Sequence, residues 1–346
     1  MAPGELSAAA RRLMSAGPAP ASGPSDLLVA WTALEAVVPG DRLFRSRRLD
    51  LPRSIDLRVG LRETDGAPCL IARPEGDDGG LTLFETAGLR LSRAADPGGN
   101  LLVLSLEEPS RRDLFAEVCS DVLRALVRSE DDGDTDLLPE LSARLAAWRA
   151  FLRDQSGGLS RQELVGLIGE LLMLEALLAR SVDALALWKS PDDGLHDFEA
   201  SGHALEVKTS LGAARRLHIS ALDQLDAAGL ASLHVAHVRL VEQRDGFTLG
   251  ALAERIAGQL ASDRDRRLFA NALLRRGLAP GPAEDPGPSV RDDGAEFYAV
   301  RDGFPCLNRA AVPAGIADAT YQIEVQALTG FRADAGDVMT ALGGQD

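Results

Sequence analysis

Lysine is almost missing from this sequence. Of 37 basic residues only Lys189 and Lys208 are lysines, which leaves 35 arginines. Arginine therefore serves wherever a positive charge alone will do. A lysine at 208 suggests a need that arginine cannot meet, because an ammonium is compact and its pKa can be shifted. Cysteine is nearly as scarce: Cys69, Cys119 and Cys306 lie far apart with no Cys-x-x-Cys pair. That pattern excludes a disulfide framework and a structural zinc site. No apolar run reaches transmembrane length, so no membrane partner is expected. The opening MAPGELSAAARRLM lacks the apolar core of a signal peptide, and the cytoplasm is the expected compartment. Excess positive charge is lacking too. The formal charge of −15 argues against tight, autonomous, non-specific DNA binding. It leaves room for a local patch of the other sign.

What is present is enough for one large or two medium domains in 346 residues, 45% of them hydrophobic. Residues 1–25 are rich in Ala, Pro, Gly and Ser and read as a flexible tail, with a short helix at Glu5–Met14. Residues 26–130 read as a β-rich domain. A helix over Asp26–Val38 comes first. From about Arg53 the strands IDLRVGLRE, APCLIAR, GLTLFE, GLRLSRA and NLLVLSLEE follow, divided by Gly- and Asp-rich turns, and a helix over Ser110–Arg128 closes the domain. Nothing in it has the look of a catalytic constellation, and a docking or recognition module is expected. Residues 131–158 hold an acidic linker and a helix near Leu137–Asp154, broken at Ser156-Gly157-Gly158. The central unit spans 159–245. Residues 246–346 carry helices at Leu249–Leu260 and Arg264–Arg276, a flexible loop over 278–294, and the strands EFYAVRDG and TYQIEVQAL.

The central unit holds the chemistry. Ser160-Arg-Gln-Glu163 is a capping box opening a helix to about Arg180, apolar around most of its circumference. Glu170 sits in that run and needs a partner if buried; it faces either a hairpin edge and a metal or a narrow solvent strip. The stretch LHDFEASGHALEVKT (195–209) reads as a hairpin turning at Ser201-Gly202. Equidistance from that turn puts Asp197 opposite Glu206, with Lys208 on the same face and Phe198, Leu205 and Val207 on the other. Cross-strand Cβ atoms lie about 5 Å apart. Two carboxylates that close repel unless a cation sits between them, which is the geometry of a divalent-metal site. Val207 offers its carbonyl as a further ligand. Asp192, in the literal Pro191-Asp192 pair, falls outside this register. A helix beginning at Ser220, LDQLDAAG, and a strand ending near Glu242 complete the unit. All five histidines lie between His196 and His237. Their spacing spoils a His-ligated metal site: His196 points away from Asp197's face, and His234 and His237 face opposite sides of one strand.

GLxGELLxL, then HDF, LEVKTS and HIS-x-LDQL resemble bacterial PD-(D/E)XK motif proteins associated with restriction and phage defence. An acid followed by Glu-x-Lys on the next strand resembles the wider PD-(D/E)XK nuclease superfamily. The resemblance implies an α/β fold, α+β overall. It would contain a restriction-endonuclease-like α-β-β-β-α-β core between the β-rich N-terminal domain and a mixed helical and β C-terminal region. It implies metal-dependent hydrolysis of DNA phosphodiesters with Mg²⁺ or Mn²⁺, by an endonuclease that works with other subunits of such a system. Asp197, Glu206 and Lys208 take the catalytic positions. Asp197, Glu206, Val207 and Glu170 are the expected metal set, and Arg215, Arg216, His218 and Gln224 the expected substrate contacts. The Gln-x-x-x-Tyr motif of exonuclease-type members is absent, because Ala228 stands four residues after Gln224. The alternative is a catalytically silent subunit with the same fold, serving as scaffold.

Overall fold

The structure is a computed structural model that describes residues 23–50, 52–74, 81–153, 159–192, 194–213, 215–279, 287–309, 312–313 and 315–343. The expected tail helix at Glu5–Met14, the Ser156-Gly157-Gly158 break and residues 280–286 of the expected loop lie outside them. The chain divides into two compact units, Met1–Arg153 and Asp154–Asp346. No helix among the described residues is long and apolar enough to cross a membrane.

Among its described residues unit 1 begins with helix α1 (Pro24–Glu35). Six strands follow: β1 (Phe44–Arg48), β2 (Asp56–Arg62), β3 (Pro68–Arg73), β4 (Phe84–Thr86), β5 (Leu89–Asp96) and β6 (Gly99–Leu106). They form one antiparallel sheet in the order β1-β2-β3-β6-β5-β4. Strand β1 escaped the periodicity reading because FRSRR offers no apolar alternation and sits on the sheet edge. Helices α2 (Arg112–Asp131) and α3 (Leu138–Arg153) complete the unit. Trp31 of α1 stacks on Phe115 of α2 with ring centroids 5.2 Å apart, and its indole N–H donates to the Cys69 carbonyl at 3.2 Å. Between α2 and α3, buried Asp121 accepts from Arg144 at 2.6 and 2.8 Å and from the Trp148 indole at 2.7 Å. A buried carboxylate is tolerable when paired and bonded in this way.

Unit 2 opens with helix α4 (Arg161–Leu178), where the capping box forms as expected: Ser160 Oγ accepts from Glu163 N–H and the Glu163 carboxylate accepts from Ser160 N–H. The hairpin is β7 (Phe198–Ala200) and β8 (His203–Leu211). Then come β9 (Arg216–Ile219), β10 (Ser232–Phe247), α5 (Leu249–Gln259), α6 (Asp263–Arg275), β11 (Val290–Ala299), β12 (Tyr321–Glu324), β13 (Arg332–Ala333) and α7 (Ala335–Gly343). The main sheet runs β13-β11-β10-β8-β7, with β8 and β10 parallel and the other pairs antiparallel. One face of it buries Phe198, Leu205, Val207, Ala236 and Val238 in a core shared with α4, α5, α6 and α7. Each fully buried large apolar side chain there contributes roughly 1.5–3 kcal/mol.

The mixed α/β class holds, but the path through the middle of unit 2 differs from the α-β-β-β-α-β order in three places. The segment before the hairpin is a 3₁₀ turn over Ala184–Leu187, and only Trp188 bridges to a strand, at Phe198. With β7 just three residues long, no more of that segment finds a ladder partner. Strand β9 leaves the main sheet and pairs with β12. The expected helix at LDQLDAAG is a single 3₁₀ turn over Leu222–Leu225. Leu222 and Leu225 are both buried, an i, i+3 spacing that suits the tighter turn, and Asp318 accepts from Leu222 N–H at its start.

Candidate active site

The hairpin turn forms where its sequence places it. Ser201 and Gly202 have φ values of 49° and 83°, the positive pair of a type I′ turn, and glycine takes that conformation without penalty. The ladder pairs Ala200 with His203, Glu199 with Ala204 and Phe198 with Leu205. Continued by one residue, this register sets Asp197 opposite Glu206. There the side chain takes over from the backbone: Asp197 Oδ2 accepts from the Val207 N–H at 2.7 Å. Phe198, Leu205 and Val207 lie in the core, so alternation holds Glu206 and Lys208 on the opposite face.

Glu206 is buried, its side chain 3% exposed, and accepts from Lys208 Nζ at 2.7 Å. Lys208 also donates to Gln224 Oε1 at 3.2 Å, and that oxygen is fixed by Ser220 N–H and Oγ–H, each at 3.0 Å. Gln224 is thus a support for the lysine. Burial drives the Asp197 carboxyl well above the usual carboxylate range, and the charges of Glu206 and Glu170 push it further; the bond from Val207 N–H works the other way. Burial also raises Glu206, opposed by the charge and hydrogen bond of Lys208. The two carboxyls therefore meet without enough positive charge to ionise both comfortably.

Glu170 is buried and comes close enough to raise both carboxyls. Its oxygens are taken: Oε2 accepts from the Trp188 indole at 3.0 Å and Oε1 from Arg276 at 2.6 Å. It thus faces the hairpin, held by two partners that sequence reasoning missed. A tryptophan closing an apolar segment was a signal for the first, since a buried indole N–H needs an acceptor. Arg276 lies 106 residues away, and nothing local marks it. His196 is a correction. It is buried beside the site, bonded through Nδ1 to Glu199 Oε1 at 3.0 Å, and its charge counters the upward shift of Glu206. Strand alternation does not apply to it because β7 begins only at Phe198. His237 pairs in register with Lys208 and is bonded to Ser210 Oγ at 2.8 Å.

Arg215, Arg216 and His218 belong to the β9 segment, outside the main sheet. Arg216 and His218 lie on its exposed side; Arg216 Nε pairs with Glu324 at 2.7 Å, and Arg215 gives its carbonyl to Val325 N–H. No hydrogen bond or ion pair among the described residues joins these three to Asp197, Glu206 or Lys208. Asp192 is exposed and pairs with Arg275 at 3.2 Å. The other lysine, Lys189, donates to the Ala186 carbonyl.

Among the described residues no group of three or more His, Cys, Asp or Glu is gathered to hold a metal ion. The donor chemistry fits a Mg²⁺ ion held by a carboxylate pair, since that ion keeps several waters and takes one or two carboxylates from the protein. Asp197 and Glu206, opposed and short of positive charge, are the carboxylates that would suit such an ion.

A family model described as "Putative PD-(D/E)XK family member, (DUF4420)" matches residues 28–326 of the chain. No curated protein and no solved structure matches it.

Proposed function

The chain belongs to this PD-(D/E)XK family, and on that premise we propose that it is a metal-dependent nuclease hydrolysing DNA phosphodiester bonds, the endonuclease component of a bacterial restriction or phage-defence system. The observation that carries the reading is the register of the β7–β8 hairpin, which opposes Asp197 to Glu206 with Lys208 bonded beside them. Asp197 is oriented by Val207 N–H through Oδ2, and Glu206 is oriented by Lys208. The two would hold Mg²⁺ or Mn²⁺, which when bound polarises a phosphate oxygen and acidifies water. Lys208 has three N–H donors, and Glu206 and Gln224 occupy two. The third is left for a phosphate oxygen or the attacking water, where it stabilises developing negative charge or orients the nucleophile. Arginine could not take the place as well, because its planar fork would have to fit between two acceptors already set for a compact ammonium.

A second reading is a catalytically silent subunit of such a system. The charge of −15 and the engagement of Glu170 by Arg276 favour it. The test is incubation with supercoiled plasmid and linear DNA in Mg²⁺ or Mn²⁺, beside Asp197→Ala, Glu206→Ala and Lys208→Ala. Opened plasmid with wild type alone, by about 10²-fold or more over each variant, supports the nuclease. Cutting that survives all three substitutions refutes the site. No cutting by wild type, even with the products of neighbouring genes added, leaves the scaffold.

A further inference from the structure

The sheet of unit 1 has a face for which the proposed cleavage chemistry has no use. From the register, Leu57, Val59, Leu61, Leu70 and Leu104 point to one side, and Ser46, Arg58, Ile71, Arg73 and Val103 to the other. On that second side Cys69, Ile71, Leu101 and Val103 form an apolar cluster of their own, with Phe44 and Ala94 packed against it. Next to the cluster opens a cleft of about 410 Å³, bounded by Arg42, Phe44, Arg58, Ile71, Arg73 and Asp96. That volume is in the range of small-ligand sites.

The polar groups around this floor are of two kinds. Arg73 is locked to Asp96 by two bonds at 2.9 and 2.8 Å, and Arg58 to Asp56 at 3.2 Å. These pairs present fixed donors and acceptors. Arg42, exposed at the rim, has no acidic partner among the described residues. It opens the run RLFRSRR (42–48), in which Arg45 and Arg48 are paired with Glu63 and Asp56, while Asp41 just before it also lines the cleft. An apolar floor with one aromatic edge, a mixed donor and acceptor wall and a free guanidinium at the mouth match three parts of one ligand. A nucleobase has flat faces that stack on apolar and aromatic side chains and an edge carrying both donors and acceptors. A phosphate is what an unpaired guanidinium at the rim takes.

We infer that this cleft binds a nucleotide, its base against Ile71 and Phe44 and its phosphate at Arg42. The shared chemistry has two sources, a free mononucleotide or one unit of a DNA strand. The inference stands apart from the proposed cleavage, because binding is read without any divalent cation and on a unit that contains none of the proposed catalytic residues.

The test is calorimetric titration of the full chain in EDTA with the four deoxynucleoside monophosphates, with a short single strand and with a duplex. Arg42→Glu, at an exposed position, reverses the rim charge, and Ser46→Trp fills the cleft while every arginine around it is kept. Far-ultraviolet circular dichroism and thermal melting confirm that both variants fold. Binding that weakens roughly tenfold or more in Arg42→Glu and is lost in Ser46→Trp is the expected result. If a mononucleotide suffices, the ligand is a free nucleotide; if only the strand or duplex binds and both variants abolish it, the cleft reads DNA. Failure of all these ligands to bind wild type, or binding that neither variant alters, overturns the inference.

Discussion

Arg276→Ala isolates the clamp on Glu170. Glu170's side chain is 7% exposed and Arg276's 32%, with 2.6 Å between Oε1 and the guanidinium nitrogen. Breaking a fully buried pair by deleting one partner costs about 3–5 kcal/mol, whereas exposed pairs are worth about 0–1. This pair is buried at its acidic end and a third exposed at its basic end, and the Trp188 indole still serves the other oxygen. The expected loss is therefore intermediate, about 2–3 kcal/mol. For a unit of this size that lowers the melting midpoint by roughly 5–10 °C. Glu170→Gln removes the charge that needs compensation, so the double variant Glu170→Gln/Arg276→Ala should recover a large part of the loss. Trp188 is the sole tryptophan of unit 2, because Trp31 and Trp148 lie in unit 1. Its fluorescence, followed in the Trp31→Phe/Trp148→Phe background, reports this unit through urea unfolding. An Arg276→Ala loss below about 0.5 kcal/mol, or two single effects that simply add, would refute the reasoning.

Two further outcomes follow from the packing. A carboxyl whose folded pKa lies above its unfolded one takes up a proton on folding, so Asp197 costs the fold stability as pH rises from about 4 through its raised folded value. Without divalent cation, Asp197→Asn should melt above wild type at pH 7–8 and lose that advantage toward pH 4; a difference independent of pH would contradict the shift. Gly169 of α4 packs directly against Thr209 of β8: a Cβ there would overlap Thr209 Oγ1 and stand 3.0 Å from Thr209 Cβ. Gly169→Ala, normally favourable in a helix, should instead cost about 1–3 kcal/mol by chemical denaturation. Thr209→Ala should restore most of it, and a neutral Gly169→Ala would show that the helix can shift freely.

The hairpin was legible because everything that fixes it is local. Ser201-Gly202 sets the turn, the turn sets the register, and the register sets Asp197 against Glu206. The capping box at Ser160 and Glu163 was legible for the same reason. What escaped was decided over distance. The partners of β9 and Glu170 are β12 and Arg276, each roughly a hundred residues away. LDQL has a helical composition, yet two buried leucines and Asp318 make it one tight turn. Gln224, expected as a substrate contact, instead turns its oxygen to Lys208, a partner that pattern alone does not reveal.

The parallel pairing of β8 with β10 also has a consequence in time. A parallel pair has no tight turn to nucleate it, and here it closes across the β9 excursion and the 3₁₀ turn. As the chain leaves the ribosome, Glu170, Asp197, Glu206 and Lys208 emerge well before Arg276. Until α6 docks, the three acids have one ammonium among them, and Glu170 lacks the guanidinium that holds it in the finished fold. The growing chain thus carries the hairpin before it carries the clamp, and Glu170 gains its guanidinium partner only once the segment through Arg276, more than half way along unit 2, has been made.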